Sequence, residues 1–407
     1  MALAKTPSPS IPTAERLARF TYAIRNIVAE AQRVEATGKR VRYLNIGDPV
    51  AFGFATPPHL VEAVERAMRD GHNGYGPSVG LAGAREAVAA EYSSRGFPVI
   101  PDRVCMTAGT SEGIELALTA MVDVDGEVLV PMPTYPLYTA VLAKLGARAH
   151  HYRTDPAREW MPDLDHLRSL ITPATRAMVV IDPNNPTGAL YSTATRRALI
   201  EIAEQHGLAI LADEVYGDLG FHGPIAPLGS LQPDAPIISF SSLSKGYLAP
   251  GWRTGWMAIG RSPRLDAVVA AVKKLADGRL CSTVPMQYAV VAALTGDRSH
   301  LVRFRHALAE RAAVTLECLR AMPGVTCVAP SAAFYAMPQI ALPPGRTDED
   351  YVLALLRETG VLCVYGSGFG LPPADGFLRI VFLASPAELR GIYDLMATFT
   401  AKYLSDV

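Results

Sequence analysis

The stretch AMVVIDPNNPTG, residues 177–188, joins a short apolar run to a polar cluster that contains prolines and a glycine. The apolar half has the composition of a buried β-strand. From about residue 58 onward, helical patterns alternate with further runs of this kind, which are EVLV (127–130), LAILAD (208–213), PIISFS (236–241) and WMAIG (256–260). This alternation predicts an α/β fold in which helices cover both faces of a mainly parallel sheet.

The predicted strands end in unusual polar clusters. PMPTYPLY follows EVLV, DPNNPTG follows AMVVI, DEVYGDL follows LAILA and SSLSKGY follows PIISF. In open α/β sheets, ligands bind in the crevice outside the carboxyl ends of the strands. We therefore expect these clusters to converge on one crevice.

Overall composition excludes several classes of partner. The 407 residues include 38 Lys and Arg against 39 Asp and Glu, so no net field favours nucleic acid or an anionic membrane. No run approaches the roughly 18 consecutive apolar residues of a spanning helix. The five cysteines are dispersed without a CxxC pair, which argues against a disulfide framework or a metal site such as zinc. A reducing cytoplasm is the expected location.

The segment SFSSLSKGYLAPGWRTGW, residues 239–256, contains a single lysine, Lys245. Taken alone, a lysine after a buried strand is usually a surface amine. Here Ser242, Ser244 and Arg253 supply hydroxyls and a planar cation suited to a phosphate. A lysine beside a phosphate site indicates a Schiff base with pyridoxal 5'-phosphate.

That cofactor needs partners for its ring. A protonated ring nitrogen requires a carboxylate, and Asp213 in LAILADEVY stands at a predicted strand end, although a helix cap is the alternative for this residue alone. Tyr216 and Asn185 are candidate donors to the phenolic oxygen, unless Asn185 only forms the turn in NNPTG. Tyr135 in PTYPLY is a candidate for stacking on the ring.

The cofactor phosphate needs a helix start, where the dipole and free amides favour an anion. The segment MTAGTSEGIELAL, residues 106–118, fits this requirement because Gly109, Thr110 and Ser111 precede an apolar-periodic helix. A capping box is the structural alternative and does not exclude an anion.

These residues together resemble the class I/II aminotransferases, which have fold type I among pyridoxal phosphate enzymes. The resemblance extends from about residue 20 to 400 and includes GYGPSVG, NNPTG, DEVY, SLSK, GWRTGW and FLRI in that order. The segments YAIRNI, LNIGDPVAFGF, HYRTDPAREWMPDLD and GRLCSTVPMQYA are most similar to the bacterial alanine aminotransferase branch. Trp252 departs from many relatives, and the choice of substrate stays open.

The resemblance implies a role for each matching residue. Lys245 binds the cofactor covalently and then moves the proton between the substrate and the cofactor. Asp213 holds the ring nitrogen, and Arg379 binds the substrate α-carboxylate with the backbone at Gly47. The other implied cofactor contacts are Gly109, Thr110, Ser111, Ser242 and Arg253 at the phosphate, Tyr216 and Asn185 at the ring oxygen, Tyr135 on the ring face, and Tyr75 from the neighbouring subunit of a homodimer.

The expected reaction is a ping-pong transfer of an amino group between an L-amino acid and a 2-oxo acid. L-alanine with L-glutamate, through pyruvate and 2-oxoglutarate, is the favoured pair. The alternatives are an aspartate, aromatic or branched-chain aminotransferase, or a carbon–sulfur lyase on the same fold. For the distal carboxylate of glutamate, the candidates are Arg279, or Arg25 on an arm beside Tyr22, and Arg25 is favoured because a mobile arm can retreat when alanine binds.

A second, smaller α/β unit is predicted after a helical stretch of about residues 262–322 that breaks near residues 282–285. The N-terminal residues 15–37 have helical spacing that stops at Gly38. We expect an N-terminal arm and part of the small domain at 1–57, a large cofactor-binding domain at 58–295 and a small C-terminal domain at 296–407. The elements predicted in the last domain are strands at 324–330, 332–340, 361–366 and 377–383 and helices at 348–360 and 385–404.

Overall fold

The computed structural model describes residues 11–19 and 23–405 of the chain. Its strands are β1 (Arg42–Tyr43), β2 (Val104–Thr107), β3 (Glu127–Met132), β4 (Arg148–Asp155), β5 (Met161–Pro162), β6 (Thr175–Ile181), β7 (Ala209–Asp213), β8 (Ile237–Ser242), β9 (Gly255–Ile259), β10 (Val325–Thr326), β11 (Tyr335–Ala336), β12 (Gln339–Ile340), β13 (Val361–Leu362), β14 (Val364–Tyr365) and β15 (Leu378–Val381).

In the described residues, helices separate half of the successive strand pairs, whereas the predicted strands β7, β8 and β9 follow one another without an intervening α-helix. The helices are α1 (Ala23–Ala36), α2 (Pro58–Arg69), α3 (Ala82–Ser94), α4 (Thr110–Met121), α5 (Leu137–Leu145), α6 (Leu164–Ser169), α7 (Thr193–His206), α8 (Asp266–Gly278), α9 (Val284–Thr295), α10 (Ser299–Arg320), α11 (Asp348–Thr359) and α12 (Pro386–Ser405). In the described residues no helix is both long enough and apolar enough to cross a membrane.

The largest sheet has eight strands in the order β2-β9-β8-β7-β6-β3-β4-β5. The central neighbours β8, β7, β6, β3 and β4 pair in parallel, whereas β9 is antiparallel to both β8 and β2. The prediction of a mainly parallel sheet is therefore confirmed. Ile181 pairs with Asp213, and Asp213 pairs with Phe240, so β6, β7 and β8 end at the same edge.

Alternate strand residues bury opposite faces of this sheet. Val180 of β6 packs in a core with α2, α3, α7 and α9, whereas its neighbour Val179 packs in a core with α4, α5 and α8. Side chains of successive strand residues point to opposite faces, so both faces must be covered by apolar helix surfaces. The sheet is thereby held rigidly, and its carboxyl edge offers a fixed platform.

A separate core joins the chain ends. It contains Ile27 from α1, Phe304 from α10, Leu355 from α11 and Phe399 from α12, together with short strands. Tyr216, which follows β7, also packs in this core. The N-terminal and C-terminal parts of the chain thus pack together and contact the carboxyl edge of the large sheet.

Several predicted elements are divided in the structure. The predicted strand at 361–366 is interrupted at Cys363, because β13 pairs with β1 and β14 pairs with β15. The predicted strand at 332–340 forms β11 and β12, which also have different partners. The helical stretch at 262–322 has a second break, at residues 296–298, between α9 and α10. At the N-terminus, a 3₁₀ turn at Glu15–Arg19 precedes α1.

Candidate active site

A cleft of about 1090 Å³ lies at the carboxyl ends of the central strands. A volume of this size can hold a cofactor together with a small substrate. Polar clusters from separate strand ends meet here, as expected from the sequence. The predicted residues that line the cleft are Gly47, Thr110, Ser111, Tyr135, Asn185, Asp213, Tyr216, Ser242, Lys245, Arg253 and Arg379.

Lys245 lies in the loop that follows β8, with its Nζ atom donating a hydrogen bond of 2.7 Å to the Gly47 carbonyl. Burial lowers the pKa of this amine to about 8, and the Asp48 carboxylate opposes that change. Loss of hydration destabilises an ammonium ion, so the neutral amine is accessible near neutral pH. A neutral amine is the form that attacks a carbonyl carbon.

Asp213 is the last residue of β7 and is only 4% exposed. Its carboxylate accepts hydrogen bonds from the Tyr138 hydroxyl at 3.0 Å and from the Val215 amide at 3.4 Å. Burial nevertheless raises the pKa of Asp213 to about 6. A cationic ring nitrogen beside this carboxylate would stabilise its charged form, so the site fits the ring of pyridoxal phosphate.

The turn from β2 into α4, residues 108–111, forms a cup at the start of that helix. Gly109 has a φ of 81°, and a Cβ atom at this position would overlap the Arg253 guanidinium, so both backbone and space require glycine. Arg253 donates to the Ala108 carbonyl at 3.3 Å. The Thr110 hydroxyl oxygen is buried and has no hydrogen-bond partner among the described residues. An anion bound at the helix start would satisfy these donors, so the cup fits the cofactor phosphate.

The opposite side of the cleft carries Arg379, which is 3% exposed on β15. Its guanidinium donates to the Asn45 carbonyl at 2.7 Å and to the Asn185 side-chain oxygen at 3.4 Å. The ring of Phe369 lies 4.9 Å from the guanidinium carbon. These contacts orient a planar cation at the cleft wall, and such a group can bind a carboxylate through two hydrogen bonds.

Two tyrosines in the site were not identified from the sequence. Tyr138 supports Asp213, and the Tyr335 hydroxyl lies 2.7 Å from the Tyr216 hydroxyl. The Tyr335 hydroxyl also lies where a Cβ atom on Gly47 would be only 2.6 Å away, so the close approach requires glycine there. Tyr138 belongs to the quoted cluster PMPTYPLY, but Tyr335 lies in an ordinary apolar strand pattern that gave no signal.

The remaining candidates do not join this group. Tyr75 is 86% exposed and lies outside the lining of the cleft. Arg279 also lies outside the lining, and its Nη1 atom is 2.7 Å from the Glu112 carboxylate. Tyr22 and the side chain of Arg25 lie outside the described residues. Among the described residues, no group of three or more His, Cys, Asp or Glu side chains could hold a metal ion.

Comparison with known proteins identifies the family. The family model described as aminotransferase class I and II matches residues 40–393. The glutamate-pyruvate aminotransferase AlaA of Escherichia coli is 37% identical, covering 97% of this chain and 98% of its own. The alanine aminotransferase of Mycobacterium tuberculosis is 37% identical, covering 95% of this chain and 92% of its own.

A solved structure gives the same result at the level of the fold. The alanine aminotransferase from Pyrococcus furiosus superposes with a TM-score of 0.93 at 38% identity, covering 96% of this chain and 100% of that one. In this chain, one cleft of that fold holds the lysine, aspartate and arginine described above. On the extent of these matches, the chain belongs to the class I and II aminotransferases.

Proposed function

We propose that this enzyme transfers an amino group between L-alanine and L-glutamate, with pyruvate and 2-oxoglutarate as the 2-oxo acids. Its family is pyridoxal phosphate-dependent. The observation that carries the proposal is the convergence of Lys245, Asp213 and Arg379 on one cleft. The relatives named as alanine or glutamate-pyruvate aminotransferases support this substrate pair.

Each residue has a distinct task in the proposed reaction. Bound pyridoxal phosphate supplies an electron-withdrawing ring that stabilises negative charge at the substrate α-carbon. Lys245 would hold the cofactor covalently, and its neutral amine would accept the α-proton of the substrate once it is free. Asp213 would keep the ring nitrogen protonated, and Tyr216 and Asn185 would donate to the ring oxygen. Tyr135 would stack on the ring.

Substrate orientation comes from the opposite wall. Arg379 holds the α-carboxylate by two hydrogen bonds, assisted by the backbone at Gly47, and this places the α-carbon toward Lys245. The Nζ atom of Lys245 already reaches the Gly47 carbonyl at 2.7 Å, so the carboxylate site and the amine adjoin each other. Proximity of the two groups supports transfer of the α-proton by the amine.

Recognition of glutamate requires a further cation. The described cleft lining contains Lys245, Arg253 and Arg379, and the proposal assigns each of them to another task. We therefore propose that Arg25, which belongs to α1, binds the distal carboxylate, and that Tyr22 is a further substrate contact. An arm that withdraws when alanine binds avoids the cost of leaving a buried cation unpaired.

We propose that the enzyme is a homodimer in the cytoplasm. Tyr75 of each subunit would reach the cofactor phosphate bound by the neighbouring subunit. The 86% exposure of Tyr75 and its position outside its own cleft support this assignment. Mixing inactive Lys245→Ala subunits with Tyr75→Ala subunits tests it. Each mixed dimer has one site with both residues intact, so activity is regained on mixing, whereas a site contained in one subunit regains none.

We further propose that the chain forms two domains with different functions, with boundaries at residues 58 and 295. Residues 58–295 hold the cofactor, and residues 1–57 with 296–407 form the domain that carries the substrate-binding groups. The common core of α1, α10, α11 and α12 supports this division.

A panel of amino donors tests the proposed reaction. Purified enzyme is incubated with each L-amino acid and with either pyruvate or 2-oxoglutarate, and both product formation and ammonia release are measured. We expect alanine with 2-oxoglutarate and glutamate with pyruvate to give the highest kcat/KM, without ammonia. Ammonia release from a cysteine conjugate without any 2-oxo acid would instead identify a lyase.

A further inference from the structure

Arg279 and Glu112 form an ion pair directly behind the phosphate cup. Arg279 follows the end of α8, and Glu112 lies in the first turn of α4. The Nη1 atom of Arg279 is 2.7 Å from Oε2 of Glu112, and the two side chains are 15% and 27% exposed. The pair therefore connects two helices from the face of the sheet on which α4 and α8 pack.

The same two side chains also hold the backbone around the cup. Oε2 of Glu112 accepts a hydrogen bond of 2.7 Å from the Ala108 amide. The Nη2 atom of Arg279 donates to the carbonyls of Met106 at 2.7 Å and Ser78 at 3.0 Å. Ser78 follows Tyr75 in the segment GYGPSVG. One guanidinium thus ties together the end of β2, the start of α4 and the Tyr75 segment.

Ala108 is fixed from both sides by this arrangement. Glu112 accepts from its amide, and Arg253 donates to its carbonyl at 3.3 Å. The next residue, Gly109, has the left-handed φ of 81° that turns the chain into α4. Holding the Ala108 peptide therefore sets the direction in which the first free amides of α4 point.

We propose that Arg279 and Glu112 are positioning residues that keep the cup, residues 108–111, in its phosphate-binding form. This inference rests on the proposed assignment of that cup to the cofactor phosphate. Its chemical consequence is specific, because a distorted cup weakens contacts to the phosphate group while leaving the ring contacts at Asp213 and Tyr135 in place.

The contacts also argue against Arg279 as the reader of the distal carboxylate. Its two terminal nitrogens serve Glu112 and two backbone carbonyls, and its Nε atom is shielded from solvent. A substrate carboxylate could bind both terminal nitrogens of this guanidinium only by displacing a backbone carbonyl from Nη2. The displaced, partly buried acceptor would then lack a partner, which is costly.

Binding of cofactor with and without its phosphate tests the inference. Arg279→Lys, Glu112→Ala and the double variant are prepared without cofactor, and Kd is measured for pyridoxal 5'-phosphate and for pyridoxal. Both ligands use Lys245, so the ratio of their Kd values reports the phosphate contacts. We expect each single variant to weaken pyridoxal phosphate by about tenfold and pyridoxal by less than about twofold. The double variant should resemble the singles, because both changes break one network.

Arg103→Lys is the matched control. Arg103 is 14% exposed, is 2.7 Å from Asp266 at the start of α8, and donates to the Ser262 carbonyl at 3.0 Å. It thus ties α8 to the other end of β2 and should leave the Kd ratio unchanged. The inference is overturned if the ratio of the two Kd values is unchanged in the Arg279 and Glu112 variants. It is also overturned if that ratio changes by the same factor in Arg103→Lys.

Substrate kinetics at saturating cofactor separate the two roles of Arg279. A positioning role predicts that KM for glutamate and for alanine change by the same factor in Arg279→Lys. A selective rise for glutamate and 2-oxoglutarate overturns the inference in favour of direct recognition. The proposed function fails separately, if the unmodified enzyme binds no cofactor or transfers no amino group.

Discussion

The two walls of the cleft are built in different ways. The cofactor wall comes from the ends of neighbouring strands in one sheet, where Asp213 ends β7 and Lys245 follows β8. The substrate wall joins Gly47, which precedes α2, with Tyr335 of β11 and Arg379 of β15. Its groups are distant in sequence and meet only through tertiary packing, as in the contact from Arg379 to Asn45 across 334 residues.

This difference explains how one enzyme can keep a fixed cofactor and accept different substrates. A sheet buried on both faces holds its edge in place, so the proposed contacts to the cofactor ring and phosphate would stay fixed. The substrate wall includes the N-terminal part of the chain, where α1 contributes Val28 to the cleft lining. Withdrawal of the arm, as proposed above, would alter the pocket for the substrate side chain and leave the cofactor contacts in place.

Removing the reactive amine tests the cofactor wall most severely. Lys245→Ala should lower kcat by about 10⁴-fold or more while cofactor still binds noncovalently, because the proton-transfer group is lost. The exposed lysines of α8, Lys273 and Lys274, are the controls, and their alanine variants should keep full activity. Borohydride reduction and peptide mapping should place the cofactor on Lys245, and a label on Lys273 or Lys274 would refute the assignment.

Removing the ring partner should have the next largest effect. Asp213→Ala should retain cofactor but lose about 10²–10³-fold in kcat, because a buried electrostatic contact to the ring is missing. Tyr138→Phe removes only the 3.0 Å hydrogen bond to that carboxylate. It should cost about tenfold or less. Near-normal turnover of Asp213→Ala would show that the carboxylate serves only as a structural cap.

A selective variant of the substrate wall sharpens the comparison. Arg25→Ala should weaken binding of glutamate and 2-oxoglutarate by about 1.5–3 kcal/mol, the strength of charged hydrogen bonds, while alanine and pyruvate change much less. Steady-state constants for all four substrates provide the measurement. Equal losses for both pairs would contradict selective recognition by this residue.

The smallest expected effect is a shift in the pH dependence of cofactor attachment. This effect links Lys245 of the cofactor wall to Asp48, which is next to Gly47 of the substrate wall. The neutral fraction of Lys245 increases as pH rises through its pKa of about 8, so the rate of cofactor attachment should rise and then level off. Asp48→Asn should move the midpoint to lower pH, because the Asp48 carboxylate raises that pKa. Asn can still accept the hydrogen bond from Val50, which limits structural change.

Stopped-flow absorbance after mixing apoenzyme with cofactor measures this profile. Asp165→Asn is the control, since its side chain is 97% exposed on α6. A midpoint that is the same in the Asp48 variant and the unmodified enzyme would contradict the proposed coupling.

The cofactor wall was largely predictable from the sequence, because its residues directly follow short apolar runs. Lys245 and Asp213 were located by that local pattern. Tyr335 was not, because its partner Tyr216 is 119 residues away and an apolar strand pattern hides its polar contact. The predicted strand at 361–366 was divided for a similar reason, since local composition does not show that β13 and β14 pair in different sheets.

A single half-reaction tests the central claim most directly. Cofactor-loaded enzyme is mixed with L-alanine and no 2-oxo acid, and pyruvate, ammonia and cofactor absorbance are followed together. Amino transfer predicts one pyruvate per active site, no ammonia and a changed cofactor absorbance. When 2-oxoglutarate is then added, the original absorbance should return and an equal amount of glutamate should form. Continued release of pyruvate with ammonia, or no pyruvate at all, would contradict the account.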